Sequence, residues 1–190
     1  MKKSCLLFIA IMLTGILHGQ KPGTVIDVQQ YTFSLTVTDS SNLIKGSAAI
    51  DFISTKNSRQ ITLDLISNST GGRGMKVQQV TEHDQPLTYS HTNNLLTINF
   101  PNELKAGDHK SIVISYEGIP VDGLIIANNK YGHRGFFSDN WPDRARNWLP
   151  CIDHPADKAA VEFITTAPAH YQVISNGIKT EEKDLGNNDD

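Results

Sequence analysis

Cysteine is scarce in this chain. Of its two cysteines, Cys5 lies in the opening apolar run and Cys151 stands alone in the rest, so once that opening segment is removed no intramolecular disulfide can form. No run of Lys and Arg exceeds two residues and the formal net charge is -3, which leaves nothing to neutralise a phosphate backbone and argues against nucleic acid as a partner. The longest apolar stretch, Cys5 to Leu17, falls short of the ~20 residues that a bilayer-spanning helix needs. Phosphate-binding loops are absent too, because Gly71-Gly72-Arg73-Gly74 lacks both the lysine and the following helix and reads as a turn. Among the seven histidines the closest pair, His83 and His91, is eight positions apart. The chain therefore contains no H-E-x-x-H, in which two imidazoles one helical turn apart hold a zinc ion while the glutamate activates water.

What is present begins with an address. Met1-Lys2-Lys3, the apolar run and then His18-Gly19-Gln20 follow the charged, apolar and small-residue order of a secretory signal, with cleavage expected after Gly19. A lipid-anchored variant would need a cysteine at the end of the apolar run, whereas Cys5 is at its start. Residues 1–19 are thus assigned as a signal peptide and 20–190 as one domain, exported to the periplasm or the extracellular space with no membrane span after cleavage. Hydrophobic residues at 38% and charged residues at 19% suffice to fill a core and match neither disorder nor a membrane bundle.

Alternation of apolar and polar residues dominates the first half. Tyr31, Phe33, Leu35 and Val37 are spaced by two, as are Ala48, Ile50 and Phe52, then Ile61, Leu63 and Leu65, the mark of half-buried strands. Polar clusters at 39–42 and 55–58 supply turns, and the three strands are expected to form a meander. Leu87 with Tyr89 and Leu96 with Ile98 and Phe100 flank His91-Thr92-Asn93-Asn94 as a hairpin. Val77 and Val80, Ile112 to Tyr116, Val161 to Thr165 and Tyr171 to Ser175 predict further strands. No helix of ordinary length is readable before residue 140, and no fixed-period repeat appears. The expected fold is mostly β, antiparallel sheets in a saddle or sandwich-like arrangement.

Between Tyr131 and Pro155 the periodicity vanishes, and Gly, Trp, Arg, Asp and Pro crowd together. Asp143 is placed to cap a short helical turn reaching Trp148, confined by Pro142 and Pro150. Arg144 and Arg146 are two apart, so they diverge on any turn and serve different partners. Asp153 is the expected partner of Arg146, a bidentate pair that staples the loop; direct substrate contact is the weaker reading. Cys151 with His154 three residues on resembles a nucleophile and base, but no helix start is there to lower the thiol pKa, so a buried structural thiol is favoured. Asp139, His154 and Asp157 are a conceivable metal set, weighed below solvated or salt-bridged side chains. No catalytic and no metal-ligating residue is assigned.

The run Arg146-x-x-Leu149-Pro150-Cys151-Ile152-Asp153-His154-Pro155-x-Asp157-Lys158-Ala159-x-x-Glu162-Phe163, with Val173-Ile174-Ser175-Asn176-Gly177 after it, resembles the N-terminal domain of the aminopeptidase N family of gluzincin metallopeptidases. The resemblance covers nearly the whole chain after the signal. It implies a β domain leaning against a companion zinc-peptidase domain and framing its substrate cleft, with zinc and peptide substrate belonging to that context only. The family's G-x-M-E-N and H-E-x-x-H elements do not occur here. Five residues before the motif arginine many members carry a Gln or Glu that helps hold the substrate's free amine; here that position is Trp141, the candidate residue of a substrate-side loop, whose indole offers a cation–π face rather than an acceptor. The expectation is the non-catalytic N-terminal domain, truncated at its C-terminal end, of an exported peptide-hydrolysing zinc enzyme. The alternative is a stand-alone β-sheet module that binds a peptide or protein through the Trp141–Trp148 loop.

Overall fold

A computed structural model describes residues 24–186; the expected signal segment, residues 1–19, lies outside them. Eleven strands run in chain order: β1 Ile26–Thr36, β2 Ile44–Ser54, β3 Ser58–Asp64, β4 Gly74–Glu82, β5 Gln85–Pro86, β6 Thr88–Thr92, β7 Leu95–Leu104, β8 His109–Ile119, β9 Leu124–Asn128, β10 Arg134–Ser138 and β11 Ala160–Thr166. Six form one sheet in the order β11-β1-β2-β8-β4-β5, three form a second in the order β3-β7-β6, and β9 with β10 makes a separate hairpin. All pairs are antiparallel except β1 with β11, which run parallel with Tyr31 beside Val161 and Phe33 beside Phe163.

The two larger sheets enclose one core. From the six-stranded sheet come Val28, Phe33, Ile50, Phe52, Ile112 and Ile114, and from the three-stranded sheet Ile61, Leu63, Leu96 and Ile98, all buried. Fully burying a side chain of this size is worth about 1.5–3 kcal/mol against leaving it exposed, so the period-two alternation is what holds the sheets face to face.

The expected meander is incomplete. β1 and β2 pair, but the other neighbour of β2 is β8, while β3 joins β7 in the opposite sheet. At Ser54 to Ser58 the chain changes layers, with Ser54 buried and its hydroxyl donating to Lys56 O at 2.9 Å. Alternation says that one face of a strand is buried, and is silent about which sheet it belongs to. The hairpin at residues 92–95 forms as expected, since Asn93 and Asn94 take φ values of 53° and 63°, a region asparagine tolerates better than most residues.

Two more differences concern the C-terminal half. The hairpin β9–β10 lay hidden because its apolar residues are adjacent rather than alternating: Ile126 and Phe136 pair and pack toward the core, whereas Ile125 and Phe137 pair on the outer side and are exposed. The strand expected at Tyr171 to Ser175 is not there. Residues 167–186 contain no strand, and Val173, Ile174 and Ile178 are exposed. Tyr171 is held instead by side-chain contacts, its hydroxyl donating to Asp39 and its ring meeting Phe136 edge-on at 5.4 Å.

Tyr116 crosses over Gly46, its pairing partner in β2, where an added Cβ would come within 2.4 Å of the ring. Its hydroxyl is fully buried with no hydrogen-bond partner among the described residues, and that burial drives its pKa well up. An unpaired buried hydroxyl costs roughly 1–3 kcal/mol. Tyr116→Phe is therefore expected to stabilise the chain by about 1 kcal/mol, read as a higher urea midpoint at unchanged m-value.

His91 gives the fold a pH dependence. Its Nε2 lies 2.9 Å from Leu65 O, and because a carbonyl only accepts, the ring carries its proton there. Burial disfavours the imidazolium and pulls the pKa below 6.5, with the Leu65 contact opposing. As pH falls the unfolded chain thus protonates first, so the contribution of His91 to stability is complete above pH 6.5 and declines below it. The thermal midpoint is expected to fall more steeply as pH drops below 6.5 in the parent chain than in His91→Gln. Asp157 works in the opposite sense at lower pH, since burial raises its pKa.

Candidate functional site

The motif-bearing segment from Asp139 to Asp157 packs against the core. Trp148, Leu149, Cys151 and Ile152 are its buried side. Trp148 stacks on Phe163 of β11 at 6.2 Å between centroids, Phe163 on Phe33, and Phe33 on Tyr31, so one aromatic row binds the segment to the β1–β11 edge. The backbone contributes as well. Cys151 forms an isolated antiparallel bridge with Asp64, its carbonyl accepting from Asp64 N at 2.7 Å, and Arg146 O accepts from Ile66 N at 2.8 Å. The segment therefore continues the edge of the β3 sheet by a few residues.

Arg146 sits at the centre of this closure. Its backbone N and Nε both donate to Asp153 Oδ2, at 3.0 and 3.1 Å, and a terminal nitrogen donates to Asp153 O at 3.0 Å. The other terminal nitrogen lies 3.4 Å from Asp64 Oδ1, and Asp64 Oδ2 accepts from Asp153 N at 3.0 Å. Two carboxylates that are largely withdrawn from water thus share one guanidinium, whose planar fork reaches several acceptors at once. Asp64 belongs to β3, far away in sequence, and nothing in its local pattern marked it as a partner.

Arg144 points elsewhere, to Asp139 at 3.1 Å and Asp122 at 3.6 Å. The short turn expected before Trp148 exists as a 3-10 turn, Ala145–Asn147, but Asp143 does not cap it: the cap position is Arg144, with no side-chain cap bond. Closure comes from Asn140 instead, whose carbonyl accepts from Arg144 N and whose side-chain oxygen accepts from Trp148 Nε1 at 3.0 Å. Trp141 follows directly and is 78% exposed, with its amide donating to Asp139 Oδ1 at 3.3 Å.

The thiol and the conceivable metal set are likewise placed. Cys151 is buried, and desolvation, reinforced by Asp153 and Asp64, pushes its pKa up, the reverse of what a nucleophile needs. Tyr31 connects this region to β1: its hydroxyl accepts from Ile152 N at 3.0 Å and donates to Asp157 at 2.8 Å. Asp139 is engaged by Arg144, Asp157 by Tyr31, and His154 Nδ1 accepts from Ala156 N. No three His, Cys, Asp or Glu side chains converge on a cation site among the described residues. Among the described residues, therefore, no set of donors fits a zinc ion.

The fold, its edge closure and the Arg146 motif agree with one family profile, described as the peptidase M1 N-terminal domain, which matches residues 28–190. The chain belongs to that family. Over 103 residues it is 29% identical to a protein named probable aminopeptidase 1 from Sulfurisphaera tokodaii, a match covering 54% of this chain and 12% of that one. Among solved structures it resembles the M1 zinc metallopeptidase from Deinococcus radiodurans, with a TM-score of 0.71 at 26% identity over 86% of this chain and 37% of that one. A mutant two-domain M1 zinc metallopeptidase bound to L-tryptophan is similar to the same degree, at 25% identity and TM-score 0.71. This M1 N-terminal domain thus spans about a third of the solved relatives it matches and a smaller share of the curated one.

Proposed function

We propose that this chain serves as the non-catalytic N-terminal domain of an exported zinc metallopeptidase that hydrolyses peptides, lying against a catalytic domain and forming one wall of its substrate cleft. The family match over residues 28–190 carries this reading. The state of Cys151, buried with its pKa pushed up by desolvation, accords with a structural rather than a nucleophilic thiol. In this reading the loop from Asp139 to Trp148 is the substrate-facing wall, Trp141 projects from it, and Arg146 with Asp153 and Asp64 fixes its position. Zinc and the reacting peptide belong to the companion domain. Export rests on the order of residues 1–19 alone.

The test has two arms. The chain purified by itself is expected to contain no stoichiometric zinc and to hydrolyse no aminoacyl or peptidyl reporter; one chelator-sensitive zinc per chain with turnover would overturn the assignment. In cells of the source organism, antibody against the domain is expected to recover a zinc-containing, chelator-sensitive peptidase activity outside the cytoplasm. Recovery of a 21.0 kDa or smaller product free of zinc and peptidase would favour the stand-alone binding module instead.

A further inference from the structure

The turn Gly71-Gly72-Arg73-Gly74, which carries no phosphate chemistry, holds an arginine in a fixed place. Ser69 N donates to Arg73 O at 3.0 Å and Gly72 N to Ser69 O at 2.9 Å, and a side chain at Gly74 would stand 2.3 Å from Ser67 O, so the turn is closed and packed onto its own base. From there Arg73 reaches over the loop after β8. Its Nε and one terminal nitrogen donate to Pro120 O at 3.2 and 2.7 Å, and the same terminal nitrogen donates to Val121 O at 3.2 Å. These acceptors are carbonyls, so they orient the guanidinium without cancelling its charge, and the second terminal nitrogen keeps its N–H donors.

Arg73 forms one side of a cleft of about 140 Å³, a size that admits a single benzene-sized group. Apolar walls come from Ile119, Pro120, Val121 and three consecutive residues of β9, Leu124 to Ile126. Side chains alternate along a strand, so three residues in a row line a cleft that meets the strand edge-on, and β9 has a partner, β10, on one edge only. The other lining residues are Asn42 and Asp122. Asp122 is engaged by Gly123 N at 2.8 Å and by Arg144 at 3.6 Å, and Asn42 Oδ1 accepts from Arg134 at 2.7 Å. What remains unused on the polar side chains is N–H, from Arg73 and from the Asn42 amide nitrogen. A ligand must therefore bring oxygen acceptors on an apolar body.

We infer that this cleft binds the C-terminal residue of an extended peptide, with the carboxylate on Arg73 and Asn42, an aliphatic side chain against Pro120, Val121 and Leu124, and the main chain along the free edge of β9. A carboxylate meets the guanidinium charge and the unused donors together, and an open strand edge supplies main-chain partners by strand addition. The site lies on this domain alone, with or without a catalytic domain beside it, so its failure would leave the proposed function standing.

Titration of the isotope-labelled chain with N-acetyl-alanyl-alanyl-leucine, followed by amide NMR, is expected to shift the resonances of residues 119–126 and the Arg73 Nε–H saturably. The same peptide with a C-terminal amide should bind about tenfold more weakly, and so should the peptide ending in glycine. Both comparisons use the parent chain and need no variant to fold. Arg73→Gln should lower affinity for the free acid about tenfold while leaving affinity for the C-terminal amide nearly unchanged, a split that mere loosening of the loop would not produce. Isovalerate offers the same carboxylate and aliphatic body without a peptide, and it should bind more weakly than the tripeptide. Equal affinity for acid and amide, isovalerate as tight as the tripeptide, unchanged affinity in a folded Arg73→Gln chain, or shifts centred away from residues 119–126 would each overturn the inference.

Discussion

Arg146→Ala should destabilise this domain by about 3 kcal/mol, the largest loss expected from any single charge removed. Asp64 is 6% exposed and the Asp153 side chain is 10% exposed, so alanine leaves two carboxylates withdrawn from water with their shared cation gone. Breaking a buried ion pair from one side costs roughly 3–5 kcal/mol; the guanidinium is 28% exposed, and partial screening places the effect at the lower end. Arg146→Lys should recover only a minor part, because a single ammonium cannot reach Asp153 Oδ2, Asp153 O and Asp64 Oδ1 together. Urea unfolding of both variants at neutral pH measures the difference. A loss below about 1 kcal/mol, the range of an exposed pair, would show that the loop is held by Trp148 and the backbone bridge alone.

Gly118→Ala is expected to do at least as much harm by a different route. Gly118 lies in β8 between β2 and β4, opposite Ile44 on one side and Met75 on the other. A Cβ built there would stand 2.2 Å from Gly74 O and 2.9 Å from Met75 Cα. Backbone cannot rotate away as a side chain can, so β4 must separate from β8 at the end of their ladder, where β8 has a neighbour on either side. Overpacking of this kind costs typically about 1–3 kcal/mol and occasionally more; with main chain as the obstacle the upper end or beyond is expected. Far-UV circular dichroism with thermal melting would register it. The same substitution at Gly107, which has nothing within 4 Å but a φ of 91°, should cost only the strain of a left-handed residue, about 1 kcal/mol.

Most of the fold was legible in the residues because strands with one buried face write their period into the chain. Ile61, Leu63 and Leu65 announced a strand; that β3 crosses to the second sheet was not written there, since layer choice depends on contacts with β7 that are far away in sequence. The hairpin β9–β10 was illegible for the opposite reason: Leu124-Ile125-Ile126 and Phe136-Phe137 place apolar groups on both faces, and a two-sided strand has no period two. Tyr171 to Ser175 carried the pattern of a strand without becoming one, because pattern supplies a face and the structure supplies no neighbour for it. At the loop, charge and spacing suggested a bidentate pair of Arg146 with Asp153, whereas the guanidinium reaches one carboxylate oxygen and the backbone carbonyl of Asp153; Asp64, contributed by another sheet, had no comparable mark.

The parallel pairing of β1 with β11 also governs when the domain can form. Tyr31 meets Val161, 130 positions later, and the segment that closes the core lies just before β11. A chain emerging from the ribosome can therefore zip β1 to β2 and form the β6–β7 hairpin early, yet its first strand keeps one edge unpaired until nearly all of the domain has been made. Contacts of such long sequence separation are the slow ones in folding, and the waiting edge is the part of the nascent chain most exposed to unwanted pairing with other strands.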